Sequence, residues 1–219
     1  MTALFRNPLL ARYATGLAIV VGLAVIFGLG SLYVTSQAAR KPEGTAACTP
    51  ARDTSEAFAR AAKGEVAAFQ AFKTPRLLPE LTFKGPSDAV MSLAQFKGKT
   101  VLLNLWATWC APCRKEMPAL DTLQAEFGGA DFEVVAINVD TRNLDKPRTW
   151  LTENNITRLA YYADPEAKVF QELKRAGQAI GMPTTLLIDA RGCQLGVLHG
   201  PAEWASDDAK RLIRTALGR

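Results

Sequence analysis

A near-continuous apolar run at residues 101–107 leads directly into two closely spaced cysteines, Cys110 and Cys113. The run reads VLLNLWA, which is typical of a strand buried on both faces of a sheet. The residues after Cys110 predict a helix that extends to Phe127 and stops at the glycine pair that follows. This order of strand, cysteine pair and helix restricts the chain to folds that present two thiols at the start of a helix.

The position of the two cysteines predicts their chemistry. Cys110 is expected at or near the helix N-cap, where free backbone N–H groups and the positive end of the helix dipole stabilise a thiolate. Cys113 follows within one helical turn and can attack a mixed disulfide formed by Cys110. Pro112 suits the first turn, where a missing N–H costs nothing. We therefore predict Cys110 as the nucleophile and Cys113 as the resolving thiol, with no cofactor beyond the disulfide that they form.

Two other interpretations of the cysteine pair are a structural disulfide and half of a zinc site. Zinc normally takes four protein ligands in a structural site. The chain has no second Cys-x-x-Cys and a single histidine, His199, so Cys48 and Cys193 would have to complete the site. The strand and helix around the pair favour redox chemistry, and we predict no metal.

The rest of the sequence predicts an α/β fold with a mixed central sheet. The length of 219 residues favours one domain with appendages. The formal charge of +5 is scattered, without the clustered basic patch that nucleic-acid binding requires. Predicted strands lie at 81–83, 92–96, 132–139, 159–162, 184–188 and 194–198, and predicted helices at 146–154, 165–175 and 207–217.

The N-terminal third predicts a membrane anchor and a connection to the main domain. Residues 13–35 carry no charge and are long enough to span a bilayer as a helix. The alternative is a cleaved signal, for which Ser-Gln-Ala at 36–38 resembles a cleavage site. We assign 1–12 to the cytoplasm, 13–35 to the anchor, 36–52 to a linker, 53–78 to a helical extension and 79–219 to the main domain.

Two stretches resemble the thioredoxin superfamily: VLLNLWATWCAPCRKEMP at 101–118 and GMPTTLLID at 181–189. The resemblance implies a thioredoxin-like fold in which Pro183 is a cis proline beside the active-site disulfide. It also implies that the backbone of Met182 binds a partner chain. Trp109, Ala111 and Pro112 would form the rest of the substrate-binding surface.

The stretch from about Glu65 to the C-terminus resembles membrane-anchored, periplasmic TlpA-like proteins more specifically, through FEVVAINVDTR, KVFQELK and GPAEWAS. This resemblance implies a single-pass protein of the cytoplasmic membrane whose catalytic domain reduces proteins in the periplasm. The implied partners are a Sco-type copper chaperone, cytochrome oxidase subunit II and a transmembrane dithiol electron donor.

Three other functions stay open at this stage. A reductant for cytochrome c maturation uses the same chemistry, but that branch tends to carry an acid after the cis proline, where this chain has Thr184. A non-catalytic binding module needs neither thiol of the pair. A disulfide-forming oxidase differs only in reduction potential, which the dipeptide between the cysteines does not determine.

Glu116 and the second cysteine pair complete the predicted site residues. Thioredoxin has a buried acid where this chain has Asn104, so Glu116 is a candidate proton relay for Cys113; a solvated glutamate is the alternative. Cys48 and Cys193 remain as an even pair, and TlpA-like proteins carry a structural disulfide at matching positions. The alternative is two unpaired thiols.

Overall fold

β4 (Thr100–Trp106) is buried along its whole length and lies at the centre of the sheet. The structure, a computed structural model, describes Cys48 and residues 54–219. β4 pairs in parallel with β5 (Phe132–Asn138) and antiparallel with β7 (Thr184–Ile188). The predicted thioredoxin-like arrangement with a mixed sheet is therefore confirmed.

Eight strands form one sheet, in the order β1-β8-β7-β4-β5-β6-β2-β3. The other strands are β1 (Gln70–Leu77), β2 (Thr82–Lys84), β3 (Val90–Ser92), β6 (Tyr162–Ala163) and β8 (Cys193–His199). The helices are α1 (Thr54–Ala61), α2 (Ala111–Phe127), α3 (Lys146–Glu153), α4 (Lys168–Arg175) and α5 (Asp207–Leu217), with 3-10 turns at Gly64–Val66 and Leu93–Phe96.

The predicted helical extension at 53–78 and the domain start at residue 79 are wrong. Helix α1 stops at Ala61, and Gln70–Leu77 is a strand that pairs antiparallel with β8. The reason is the sheet edge, because β8 would otherwise leave a row of backbone groups unpaired. Pro75 is tolerated in such an edge strand, where the pairing register shifts between Ala71 and Arg76.

A close approach of β1 to β8 explains one glycine in the core. A Cβ atom at Gly196 would lie 2.4 Å from the ring of Phe69, which precedes β1. The missing side chain lets Phe69 pack on the sheet beside Phe58 of α1, with ring centroids 6.3 Å apart. This contact joins the N-terminal helix to the same core as the cysteine pair.

Smaller corrections concern element boundaries. Leu93–Phe96 is a 3-10 turn instead of a strand, and the strand predicted at 159–162 is only Tyr162–Ala163. Helix α4 begins later than residue 165, because Ala167 has a φ of 52° and the Asp164 carboxylate accepts the N–H of Val169.

The predicted membrane span at 13–35 lies outside the described residues, as do the segment 1–12 and most of the linker 36–52. Within residues 54–219, no helix has the length and apolar character needed to cross a membrane.

Candidate active site

Cys110 is the N-cap of α2 and Cys113 lies in its first turn. The N–H of Cys113 donates to Sγ of Cys110 over 3.3 Å, so a helix N-terminal amide already contacts the sulfur of the predicted nucleophile. The two residues form a disulfide. Cys110 is 6% exposed and Cys113 is 0% exposed, which leaves Cys110 as the member of the pair that a partner can reach from solvent.

The peptide bond between Met182 and Pro183 is cis, as the family resemblance implied. Pro183 directly precedes β7, in which Thr184 pairs with Leu105 of β4. Since β4 runs from there into the cysteine motif, Pro183 and the motif lie at the same end of the sheet. Met182 is half-buried and so keeps part of its surface accessible.

The other predicted substrate-binding residues are exposed and lie next to Cys110 in the sequence. Trp109 is 67% exposed, and Ala111 and Pro112 are also at the surface. An exposed tryptophan beside a reactive cysteine provides a large apolar contact for a partner protein. Trp109, Ala111 and Pro112 therefore form an accessible surface beside Cys110.

The turn before Cys110 is held by Asp140, which sequence reasoning missed. Its buried carboxylate accepts the backbone N–H of Thr108 at 2.8 Å and the Thr108 hydroxyl at 3.0 Å. Asn138 donates to the same carboxylate at 2.7 Å. A polar residue just beyond the end of a buried strand was the available signal, because such strand ends commonly line functional sites.

Glu116, a residue of the active-site helix α2, has a buried side chain, so the alternative of a solvated glutamate is wrong. Its Oε1 accepts from Asn104 at 2.8 Å, and its Oε2 accepts from the backbone N–H of Ala202 at 3.1 Å and the indole of Trp204 at 3.2 Å. Burial raises the pKa of Glu116 to about 7, although these three donors act in the opposite direction. The carboxyl group can therefore gain or lose a proton near neutral pH.

Asn104, at the position of the thioredoxin acid, is fully buried on β4. Its Nδ2 donates to Glu116 and also to the Thr185 hydroxyl at 2.9 Å. Neither Trp204 nor Thr185 was predicted as part of the site. Both lie in stretches that carry the family resemblance, but their contact with Asn104 or Glu116 joins segments distant in sequence, which no local pattern shows.

Cys48 and Cys193 form the predicted second disulfide, across a sequence separation of 145 residues. Cys193 begins β8, whereas His199 at the other end of that strand pairs with Thr184 beside the cis proline. The disulfide is therefore at the end of the sheet opposite the active site. It ties Cys48 to the domain and lies away from the Cys110–Cys113 disulfide.

The described residues contain no group of three or more His, Cys, Asp or Glu side chains that could hold a metal ion. The two cysteines of the motif are bonded to each other, whereas a zinc site would use them as separate thiolates. The arrangement can carry out dithiol–disulfide exchange.

Comparison with known proteins agrees with this geometry. The model of the Redoxin family matches residues 67–210. The chain is 36% identical over 120 residues to thioredoxin-like protein YneN of Bacillus subtilis, covering 52% of this chain and 64% of that protein. It is 38% identical over 122 residues to thiol-disulfide oxidoreductase ResA of the same species, covering 56% of this chain and 65% of ResA.

Among solved structures, a thiol:disulfide interchange protein of the thioredoxin family from Chlorobium tepidum superposes with a TM-score of 0.54 at 30% identity. The match covers 68% of this chain and all of that one. The chain spans less than two thirds of the length of the curated relatives YneN and ResA. The region matched by the family model contains the cysteine motif, Glu116 and the cis proline.

Proposed function

Since the chain belongs to the Redoxin family, we propose that it is a thiol–disulfide oxidoreductase that reduces disulfides in partner proteins outside the cytoplasm. The observation that carries this proposal is the position of Cys110 at the N-cap of α2, where its Sγ accepts a hydrogen bond from the backbone N–H of Cys113. Relatives named thiol-disulfide oxidoreductase support the same reaction class.

The exchange proceeds in two steps from the reduced protein. The Cys110 thiolate attacks one sulfur of a partner disulfide, forming a mixed disulfide and releasing the other partner sulfur as a thiolate, which takes a proton. Cys113 then loses its proton and attacks Sγ of Cys110. This closes the Cys110–Cys113 disulfide and releases the second partner thiol. Two electrons and two protons pass to the partner.

Glu116 supplies a route for the proton of Cys113. Cys113 is completely buried, so its proton has to leave through protein groups. Glu116 follows Cys113 by three residues on α2, a spacing that places both side chains on one face of the helix. With a pKa of about 7, the carboxylate can accept that proton and later release it near neutral pH.

The location we propose is the outer face of the cytoplasmic membrane, with residues 13–35 as a retained anchor and the N-terminus inside. The charge-free composition of this segment and its length support an anchor. The disulfide between Cys48 and Cys193 supports an oxidising compartment, because such bonds are rare in the cytosol.

The partners we propose are a Sco-type copper chaperone and cytochrome oxidase subunit II, whose cysteines must be reduced before they bind copper. The resemblance to TlpA-like proteins supports this choice. A reductase in an oxidising compartment also needs electrons, and a transmembrane dithiol carrier would supply them. Reduction of apocytochrome c is the second candidate. Against it, Thr184 follows the cis proline and donates to the carbonyl of Gly181 at 2.7 Å, where that branch has an acid.

Trapping tests the proposal. In the full-length Cys113→Ser variant, Cys110 attacks a partner but cannot be released, so mixed disulfides accumulate and can be identified by mass spectrometry. A Cys110→Ser/Cys113→Ser variant is the matched control and should trap nothing. Adducts with a copper chaperone or oxidase subunit II are expected. Adducts with apocytochrome c would select the second candidate, and no adduct despite normal export would indicate a non-catalytic binding module.

A further inference from the structure

Protonation of Glu116 creates a hydrogen-bonding conflict in its pocket. All three groups that contact the carboxylate are N–H donors: Nδ2 of Asn104, the amide of Ala202 and the indole of Trp204. The backbone amide and the indole can only donate. Oε2 must therefore remain an acceptor, and a proton on the carboxyl group has to reside on Oε1. There it would face the hydrogens of Asn104 Nδ2.

Asn104 can remove this conflict because of how its own atoms are used. Both of its hydrogen bonds leave from Nδ2, one to Glu116 and one to the Thr185 hydroxyl. Its Oδ1 is buried and has no hydrogen-bond partner among the described residues. A hydroxyl can donate as well as accept, so Thr185 can reverse its role. A protonated carboxyl group can donate in the same way.

We propose that Asn104 is a positioning residue that turns its amide by half a rotation each time Glu116 gains or loses its proton. With Glu116 ionised, Nδ2 donates to Glu116 and to Thr185. With Glu116 protonated, Oδ1 takes the place of Nδ2 and accepts from both. This inference rests on the proposed role of Glu116 in exchange. It explains how a buried carboxyl group can change protonation state without losing its partners.

The two orientations of the Asn104 amide should be similar in free energy, as a reversible turn requires. The oxygen and nitrogen of an amide are nearly the same size, so the turn needs no repacking. Each orientation forms two hydrogen bonds to the same two side chains. Each also leaves one amide atom unpaired, so the cost of an unsatisfied buried group, about 1–3 kcal/mol, occurs in both.

Three other charged side chains line a cavity that Glu116 borders. Glu65, Lys115 and Glu203 line a cavity of about 200 Å³ that Glu116 borders together with Pro201 and Ala202. Lys115 favours the ionised form of Glu116, and the two glutamates oppose it. Their effects depend on salt, whereas the contact with Asn104 and Thr185 is buried. The Cys110–Cys113 disulfide adds no charge in the oxidised protein.

Nuclear magnetic resonance on the oxidised full-length protein in detergent micelles tests the turn directly. The carboxyl carbon of Glu116 reports its protonation, and nuclear Overhauser contacts report which amide atom faces Thr185. At pH values above the midpoint of the Glu116 titration, the Asn104 amide protons should show contacts to Thr185. Below the midpoint those contacts should disappear. Contacts that persist on both sides of the midpoint, or a Glu116 that does not titrate, would overturn the proposal.

Glu116→Gln provides a variant with a definite expectation. The side-chain oxygen of the introduced glutamine has to face the N–H groups of Ala202 and Trp204, so its amide nitrogen has to face Asn104. Asn104 should then be held in the turned orientation, and its contacts to Thr185 should be absent at every pH. Contacts that remain as in the ionised wild type would contradict the mechanism.

A second comparison uses two buried amides that both carry an unpartnered oxygen among the described residues, Asn104 and Gln194. Asn104→Leu should raise the pH midpoint of the Glu116 titration by less than about 1 unit, because the ionised form loses a charge-assisted hydrogen bond and the protonated form loses a neutral one. Gln194→Leu, in β8, should leave the midpoint unchanged. A rise of clearly more than about 1 unit in Asn104→Leu would contradict the inference, because it would mean that Asn104 stabilises only the ionised form. Disulfide reduction by the wild type is measured separately. If the Asn104 amide does not turn while the protein reduces disulfides normally, the result contradicts the turn and leaves the proposed function intact.

Discussion

The indole N–H of Trp204 donates to Oε2 of Glu116 over 3.2 Å, although the two residues are 88 positions apart. Both side chains are almost completely buried. The segment between β8 and α5 therefore reaches under the active-site helix and holds the carboxyl group that we assign to proton transfer.

Trp204→Phe should raise the pKa of Glu116 above about 7, because the ionised carboxylate loses one of its donors. A shift of up to about 1 unit is expected from one charge-assisted hydrogen bond. The carboxyl carbon resonance measures this value, and the pH profile of disulfide reduction should move in the same direction. Trp150→Phe, which alters a ring packed on Trp106, is the control and should leave the value unchanged. A lower Glu116 pKa in Trp204→Phe would contradict the assignment.

Stability should fall as pH rises through the Glu116 range. The folded-state pKa of about 7 exceeds the ordinary value of 4.5, so the folded protein binds a proton that the unfolded chain has already released. The stabilisation is fully present below pH 4.5 and is lost as pH rises through about 7. The loss amounts to roughly 3 kcal/mol. Urea denaturation at pH 5 and pH 8 should show this difference in the wild type and a smaller one in Glu116→Gln. Equal differences would mean that another group is responsible.

Removal of the second disulfide should reduce stability without stopping exchange. Its loop closes a sequence separation of 145 residues, for which chain entropy gives a stabilisation of about 5 kcal/mol as an upper value. Urea midpoints of Cys48→Ser/Cys193→Ser and the wild type test the loss. Per folded molecule, insulin reduction should be unchanged, because Cys193 lies at the end of the sheet opposite the cis proline. Loss of reduction in the folded variant would give this disulfide a direct role.

Asp140→Asn should loosen the turn that precedes Cys110. The carboxylate accepts two hydrogen bonds from Thr108 and one from Asn138, and an amide group cannot accept all three with the same geometry. We expect a loss of about 1–3 kcal/mol in unfolding free energy and slower disulfide reduction. Asp145→Asn, on the exposed start of α3, should change neither quantity. Full activity in Asp140→Asn would show that the turn holds its shape without this contact.

Trp109→Ala should separate partner binding from thiol chemistry. Because the side chain is 67% exposed, stability should change by no more than about 0.5 kcal/mol. Reduction of a protein partner should slow by about tenfold, which corresponds to the loss of about 1.4 kcal/mol of binding energy. Reduction of a small-molecule disulfide should be unaffected. Val90→Ala, at a similarly exposed apolar residue of β3, is the control. A parallel loss on both substrates would place Trp109 in the exchange step.

The sequence alone determined the fold class and the paired thiols, and the family resemblance of the stretch around Pro183 implied the cis proline. The strand and the paired thiols are local features, since a buried strand and a helix start are each specified by neighbouring residues. The position of Cys110 at a helix N-terminus also follows from local order, and with it the principal chemistry of the site.

The tertiary structure decided the features that depend on contacts between distant segments. Residues 70–77 form a strand because β8 offers an unpaired edge, which overrides the helical pattern that precedes them. Glu116 stands in a run of charged residues that suggests solvent exposure, yet Asn104 and Trp204 enclose it. Burial, which sets its pKa, is a property of the assembled core. The burial of Glu116 therefore cannot be predicted from any short stretch of the sequence.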